Sequence, residues 1–209
     1  MIKNIINTFM SAAFAGIAIS IGCIIFLTMG GIIGATLFAF GLLTVVHYGL
    51  KLYTGTVGFM NLMGFKKENL QEWGTLFLVI AGNVIGCLLT AFLASCGDLH
   101  LDDSVTRLYE ARMGLTPFAV IVRAMGCGLI MTTAVRFARD DKFLPLLFGV
   151  PLFICAGFLH SIADSFYYAF NNVWTMKTFG YLSLTYFGNY LGCSAYKAFI
   201  GKYDHKLIV

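Results

Sequence analysis

The sequence Gly82-Asn83-Val84-Ile85-Gly86-Cys87 returns 106 positions later as Gly188-Asn189-Tyr190-Leu191-Gly192-Cys193. The two copies share Gly, Asn, Gly and Cys at matching places, and each lies within a long apolar stretch. Self-similarity at a fixed spacing is typical of a chain built from copies of one structural unit. The motif therefore predicts that the two halves of this chain have the same architecture.

Short polar segments interrupt the apolar sequence at matching places in the two halves. They are Tyr53-Thr54-Gly55-Thr56-Val57-Gly58 and His160-Ser161-Ile162-Ala163-Asp164-Ser165, and the same spacing carries Thr54 onto His160. Non-helical backbone survives at membrane depth only when it is buried in protein or lines a cavity. One such break is explained by a structural kink, whereas two matching breaks favour a polar pathway.

The composition places the chain among membrane proteins. Of its 209 residues 59% are hydrophobic and 11% are charged, and the mean hydropathy is +0.83. The first apolar stretch, residues 9–27, is too long for the apolar core of a cleavable signal and is interpreted as a spanning helix. The net charge of +4 is small and dispersed, which gives no indication of nucleic-acid binding.

Six cysteines are scattered along the chain without a CxxC motif or metal-finger spacing. Within a membrane segment a cysteine behaves as a small apolar residue, so packing is expected rather than redox chemistry or metal binding. Cys96 is the exception, because it lies at a predicted helix end and is expected to be more exposed. The others are Cys23, Cys87, Cys127, Cys155 and Cys193.

A spanning helix needs roughly 20 mostly apolar residues, and the sequence offers six candidates. The second and fifth carry the interruptions. With three spans in each copy (about 9–95 and 115–201), the second copy starts on the opposite side, so the repeats are inverted and form one domain over residues 1–209. A site near the midplane is then expected. The candidate spans are 9–29, 32–50, 73–95, 115–136, 143–170 and 179–200.

The distribution of basic residues predicts the orientation of the chain. Nine lie on the side of the N-terminus and three on the other side, where four acidic residues accompany them. Both termini are therefore predicted to be cytoplasmic. The remaining basic residues, Lys51 and Arg123, lie at membrane depth. The nine are Lys3, Lys66, Lys67, Arg136, Arg139, Lys142, Lys197, Lys202 and Lys206, and the three are Arg107, Arg112 and Lys177.

The glycines of the repeated motif are spaced one helical turn apart. Small residues at this spacing let two helix backbones approach closely, so Gly82, Gly86, Gly188 and Gly192 are interpreted as structural. Asn83 and Asn189 are expected to bond across the contact or to stabilise an interrupted helix, with solute contact as the alternative. Gly126-Cys127-Gly128 is similarly assigned to close packing, with a narrow pore wall as the alternative.

His160 is the sharpest functional candidate. An imidazole is uncommon in an apolar stretch, and it is the side chain that exchanges a proton near neutral pH. The alternative is a histidine that braces the break by bonding a carbonyl.

The charged residues at depth are mostly basic. Arg123 is expected to attract anions in an outer vestibule, or else to form an ion pair, and Lys51 has the same two interpretations on the inner side. Asp164 is the only acidic residue expected at depth, as an acceptor for loop amides or as a partner of a cation. This balance favours an anion, or the neutral acid formed from it, over a metal cation.

The combination of these motifs resembles the formate/nitrite transporter family over essentially the whole six-span core. Leu52-Tyr53-Thr54-Gly55 is similar to the Leu-Phe-Thr-Gly loop of that family's second span. The segment from Ala156 to Phe166 is similar to the Gly-Phe-Glu-His-Ser-Ile-Ala-Asn-Met-Phe loop of the fifth. The resemblance implies an aquaporin-like fold and a homopentamer in which each protomer has its own pore.

The resemblance also implies roles for individual residues. Thr54 and His160 would face the solute between two apolar constrictions, and Arg123 matches a basic residue of the outer vestibule. Constriction positions are matched by Leu52, Tyr53 and Phe153, and more weakly by Phe38 and Leu42.

The chain also departs from the family pattern. Leu159 replaces a Glu, Asp164 an Asn and Tyr53 a Phe. Gly128 stands where Asn is common, and Lys51 where an acidic residue is frequent. Two of these changes, at Leu159 and Gly128, remove polar groups near the expected site.

The resulting hypothesis is a passive or proton-coupled pathway for small monovalent anions of weak acids, in a bacterial inner membrane. Formate is favoured, and nitrite, hydrosulfide, acetate and lactate remain open. Neither an enzymatic activity nor a cofactor is expected. The rival hypotheses are a channel for a neutral solute such as urea, ammonia or water, a redox enzyme using the cysteines, and a scaffold without flux.

Overall fold

The computed structural model describes residues 2–60 and 67–203. Within these ranges every regular element is helical, which confirms the predicted all-α class. Short 3₁₀ turns at Val57–Phe59 and Gly201–Tyr203 and a π turn at Tyr196–Ile200 accompany the longer helices. The α-helices are α1 (Ile2–Met29), α2 (Gly31–His47), α3 (Tyr53–Thr56), α4 (Lys67–Cys96), α5 (Asp102–Met113), α6 (Pro117–Ala138), α7 (Leu144–Cys155), α8 (Ser161–Phe170) and α9 (Met176–Ala195).

Three of these helices are long and apolar enough to cross a membrane: Ile2–Met29, Asn69–Cys96 and Pro117–Ala138. They correspond to the first, third and fourth predicted spans. The second predicted span is represented by the shorter apolar helix α2, and the fifth by the shorter apolar helix α7 followed by α8. The sixth corresponds to α9, which has 20 residues.

The breaks lie a few residues earlier than the polar segments predicted. Residues 48–52 and 156–160 are the non-helical ones, whereas Tyr53–Thr56 and Ser161–Phe170 are helical. The predicted interruptions at 53–58 and 160–165 were therefore placed too late. Polar side chains such as those of Ser161 and Asp164 belong to the first turn of a new helix, where they mark its start rather than the gap before it.

The same backbone turn ends the helix before each break. Gly49 and Gly157 adopt positive φ angles of 62° and 69°. The residue after each glycine bonds back to the carbonyl five positions earlier, Leu50 N–H to Val45 O at 2.8 Å and Phe158 N–H to Phe153 O at 3.0 Å. This is the Schellman arrangement, in which glycine tolerates the left-handed conformation that a side chain disfavours.

The repeated glycines pack two pairs of helices closely. A Cβ atom at Gly86 would overlap the carbonyl oxygen of Ala13 on α1, and one at Gly192 would overlap that of Met125 on α6. Glycine is thus needed for the contacts of α4 with α1 and of α9 with α6. The two halves meet where α2 packs on α7 and α8 packs on α4.

Two features differ from the expectations for loops and cysteines. Helix α5 occupies the segment between the third and fourth predicted spans, for which the sequence predicts no helix. It packs on α8 and buries Val105 completely. All six cysteines are free; Cys96 is exposed as expected, but Cys155 is also exposed rather than packed.

Candidate functional site

The side chains of Thr54 and His160 meet at the centre of the molecule. The hydroxyl oxygen of Thr54 lies 2.9 Å from Nε2 of His160, and both residues are buried, with 0% and 2% of their surface exposed. Thr54 belongs to α3, and His160 is the residue that caps α8. Each break thus brings one of the two polar groups to the same point.

The tautomer of His160 follows from its hydrogen bonds. The backbone N–H of Ala163 donates to Nδ1 at 3.2 Å, so this nitrogen is an acceptor and carries no proton. In the neutral ring the proton is then on Nε2, which donates to Thr54. His160 therefore presents a neutral N–H donor, and a proton on Nδ1 would displace the bond that caps α8.

Asn83 and Asn189 hold the ends of the two breaks by the same set of bonds. Oδ1 of Asn83 accepts from the N–H of Tyr53 at 2.9 Å, while its Nδ2 donates to Ala12 and Lys51 carbonyls at 2.8 and 2.9 Å. Asn83 therefore takes both expected structural roles, because its bond to Ala12 crosses the contact of α4 with α1 and its bonds to Lys51 and Tyr53 hold the break.

In the second half the bonds repeat on matching atoms. Oδ1 of Asn189 accepts from Ser161 N–H at 2.8 Å, and its Nδ2 donates to the carbonyls of Ala124 and Leu159, both at 2.8 Å. All three hydrogen bonds of each amide go to backbone groups.

These bonds also correct the pairing of the two breaks. Tyr53 matches Ser161, and Lys51 matches Leu159, at a spacing of 108 rather than 106 residues. By this alignment His160 corresponds to Leu52, not to Thr54. The N-terminal caps of α3 and α8 support this alignment, because the cap residues Leu52 and His160 have similar extended backbone angles. Thr54 and His160 are therefore contact partners rather than repeat counterparts.

A cavity of about 160 Å³ leads to His160 from the side of α5. Two guanidinium groups, those of Arg112 and Arg123, line it together with aromatic side chains. Arg123 is exposed, and it has no ion-pair partner in the part of the chain that the structure describes. Of its two predicted roles, the ion pair is not the one observed. The cavity is also lined by Phe26, Phe38, Phe153, Phe158 and Tyr167.

Asp164 forms an ion pair that the sequence did not specify. Its Oδ1 accepts from Nε of Arg112 at 2.6 Å, and its side chain is completely buried. The sequence suggested loop amides or a cation as partners, and the structure selects the cation. Arg112 was assigned only to the outer loop, and no local pattern marks a residue 52 positions away as its partner.

The side chains predicted as constrictions are all buried, with exposures between 0% and 3%. Phe38 contacts Phe153 edge-on at 6.2 Å between ring centres, and Phe153 lies 5.8 Å from the His160 ring. These three residues form the inner end of the cavity. The other predicted positions are those of Leu42, Leu52 and Tyr53.

Tyr53 belongs to a separate contact. Its hydroxyl donates to the carbonyl of Tyr186 at 2.9 Å, and the two rings are 5.0 Å apart. Sequence reasoning did not single out Tyr186, which lies outside both breaks.

Lys51 is not part of the cavity. Its side chain is exposed, and only its backbone takes part in the bonds described above. On the same side as Lys51, Nη2 of Arg139 donates to the carbonyl of Gly55 at 3.3 Å, and its guanidinium lies 3.8 Å from the centre of the Phe59 ring. Arg139 therefore holds the segment that follows Thr54.

The fold and this centre together define a helical membrane protein with a polar pair buried between two broken helices. The comparisons with known proteins agree. A sequence model of the family "Formate/nitrite transporter" matches residues 1–203, and the chain belongs to this family.

Two similar proteins are a transporter and a channel. The nitrite transporter NirC of Salmonella typhimurium is 28% identical over 182 residues, which cover 78% of this chain and 67% of that protein. The formate channel FocA of Escherichia coli is 26% identical over 191 residues, 78% of this chain and 66% of that protein. The chain thus matches about two thirds of the length of these relatives.

Two solved structures share the fold. One is described as an FNT family ion channel; it superposes with a TM-score of 0.83 at 22% identity and covers 97% of this chain and 91% of its own. The other is a pentameric formate channel with formate bound, with a TM-score of 0.80 at 20% identity and coverage of 99% and 98%.

Proposed function

We propose that this chain is a membrane pathway for small monovalent anions of weak acids, with formate as the first candidate. Nitrite, hydrosulfide, acetate and lactate are the other candidates. The observation that carries the proposal is the buried Thr54–His160 pair at the inner end of a cavity lined by two guanidinium groups. Membership of the formate/nitrite transporter family supports it.

The cavity supplies the first step of the mechanism. The exposed guanidinium of Arg123 raises the local concentration of anions at its mouth. The rings of Phe38 and Phe153 then form an apolar boundary. Without compensation, a bare charge crosses such a boundary at a free-energy cost of about 10 kcal/mol or more. The anion therefore needs a hydrogen-bond donor or a proton at this point.

His160 supplies the donor. Its Nε2–H, which bonds to Thr54, turns to an anion that enters between them, and the Thr54 hydroxyl is a second donor. This passive step leaves the ring neutral and keeps the cap on α8. The proton-coupled alternative starts from an imidazolium, which passes its Nε2 proton to the anion and keeps a proton on Nδ1. That route requires the Ala163 N–H to give up its bond to Nδ1.

The topology proposed is six spans in two inverted repeats, with both termini in the cytoplasm of a bacterium and the protein in its inner membrane. Matching turns at Gly49 and Gly157 and matching asparagine bonds support the repeat. We also propose a homopentamer with one pathway per protomer, by analogy with the pentameric formate channel of the same fold. Native mass spectrometry in detergent tests the assembly, since a monomer alone would contradict it.

The test is uptake into vesicles that contain the purified protein, with formate, nitrite, hydrosulfide and urea as solutes at about pH 5.5 and 7.5. Empty vesicles give the background from neutral acids that cross lipid unaided. Saturable flux of an acid anion, absent for urea, supports the proposal. Urea flux alone, or no flux of any solute, contradicts it.

A histidine variant tests the role of the centre. His160→Asn removes the imidazole, and we expect the anion flux to fall and its dependence on pH to change. His47→Asn is the matched control, because His47 is exposed at the end of α2 and contacts only Tyr48 among described rings. Unchanged flux and pH dependence in the His160 variant would make this residue structural.

A further inference from the structure

The Arg112–Asp164 pair is held by a single hydrogen bond. Nε of Arg112 donates to Oδ1 of Asp164, and Nη1 donates to the carbonyl of Leu108 at 3.1 Å. Within residues 2–60 and 67–203, neither Oδ2 of Asp164 nor Nη2 of Arg112 has a hydrogen-bond partner. A side-on pairing of guanidinium and carboxylate would join these two atoms as well. The observed pairing leaves Nη2 without a partner.

Arg112 lines the same cavity that ends at His160. Its side chain is only 13% exposed, and its guanidinium lies 5.1 Å from the centre of the Tyr167 ring. Because Asp164, Leu108 and Tyr167 fix the group, it loses little conformational freedom when it binds a ligand. The open N–H groups of Arg112 are thus preorganised in the cavity.

The charges of the cavity suit a single negative charge. Asp164 compensates Arg112, so the net positive charge of the two guanidinium groups is that of Arg123 alone. The N–H groups of Arg112 that remain free, those of Nη2 and the second one of Nη1, still supply directional donors. A planar guanidinium edge matches an anion with two oxygens in one plane, whereas a spherical or one-atom anion gains only its charge interaction.

We propose that Arg112, positioned by Asp164, is a specificity residue that favours planar two-oxygen anions, such as carboxylates and nitrite, over hydrosulfide. This rests on the proposed function and names the substrate class of the same cavity. It assigns a role to the Asp164 departure from the family pattern, because an asparagine would not hold the arginine by charge.

The test compares kinetics for three anions in vesicles containing the full chain. Arg112→Lys keeps the charge and removes the planar fork. We expect the apparent KM for formate and nitrite to rise about tenfold, the loss of one charge-assisted hydrogen bond, with little change for hydrosulfide. Arg107→Lys is the matched control, because Arg107 is on the same helix but exposed and outside the cavity.

Equal changes for all three anions, or an unchanged KM for formate and nitrite, would overturn the assignment of Arg112. Absence of anion flux in the unmodified protein would instead overturn the proposed function itself, and the specificity role with it. The two failures are therefore distinguishable.

A second variant decides the matter if the lysine variant does not elute as a single folded species. Asp164→Asn keeps an oxygen that can accept from Nε of Arg112 but removes the charge that holds the guanidinium in place. We expect the preference for formate over hydrosulfide to decrease. A preference that is unchanged or increased in a folded Asp164→Asn protein would contradict the proposal.

Discussion

The hydroxyl of Thr54 and Nε2 of His160 lie 2.9 Å apart, although 106 residues separate them in the chain. Neither residue is held there by a continuous helix. Thr54 follows the break that ends α2, and His160 ends the break that follows α7. Two turns that contain glycines with positive φ angles therefore precede the two ends of one hydrogen bond, and the His160 end of that bond lines the cavity.

Thr54→Val tests this bond, because it replaces the hydroxyl by a methyl group of similar size. The Nε2–H of His160 then loses its partner, and an unsatisfied buried donor costs about 1–3 kcal/mol. We expect a lower thermal stability in detergent and a reduced anion flux. Thr54→Ser retains the hydroxyl and should keep most of both.

Thr36→Val is the matched control, since Thr36 is exposed on α2 and bonds only its own helix at Ile32. Equal losses in the Thr54 and Thr36 valine variants would show that the central bond has no special role.

Asn189→Ala removes three bonds to backbone groups at once. The N–H of Ser161 and the carbonyl of Leu159 would be left unpaired in a buried region, and the carbonyl of Ala124 would keep only its bond within α6. At about 1–3 kcal/mol for each unsatisfied group, we expect the largest loss of stability among the variants considered, or failure to assemble. Thermal unfolding followed by size-exclusion chromatography measures it.

Asn171→Ala is the control for the asparagine variant. Asn171 accepts a single bond from Thr106 at 3.3 Å at the end of α8, so its loss should be small. An Asn189 variant no less stable than this control would contradict the bracing role.

Much of the architecture follows from local sequence. Apolar length identifies α1, α4 and α6, and the spacing of Gly82 and Gly86 indicates close helix packing before any contact is known. Local polarity locates the breaks too late, because the polar residues belong to the helix that follows each gap. Gly49 and Gly157, spaced 108 residues apart, carry the stronger signal, since positive φ is what ends each helix.

The sequence predicts the individual polar residues of the site but not all of the contacts between them. Thr54, His160 and Arg123 stand out as polar residues within apolar stretches, so each is recognisable alone. The pairing of Arg112 with Asp164 depends on how α5 packs on α8, which no periodicity within either helix specifies. Tertiary contacts of this kind determine which polar residues share a cavity.

Gly86→Ala and Gly192→Ala test the close packing of the two helix pairs. Each added Cβ would overlap a backbone carbonyl of the neighbouring helix, a contact that no side-chain rotation relieves. We expect both variants to lose stability by about 2 kcal/mol or more, as overpacking does in other cores. Thermal unfolding in detergent gives the comparison.

Gly74→Ala on α4 should raise the stability rather than lower it. Nothing lies within 4 Å of a Cβ at this exposed position, and alanine favours a helix over glycine by about 1 kcal/mol. If Gly86→Ala were as stable as Gly74→Ala, the backbone contact would not be limiting.

Phe153→Ala tests the apolar boundary, because Phe153 contacts both Phe38 and the His160 ring. Its removal widens the cavity beside His160 and admits water, which lowers the cost of a charge at this point. We expect anion flux to rise and urea to become permeant in vesicle uptake. Phe148→Ala is the matched control, since Phe148 is on the same helix and 72% exposed. Greater flux in the Phe148 variant, or a Phe153 variant that still excludes urea, would place the selective boundary elsewhere in the pathway.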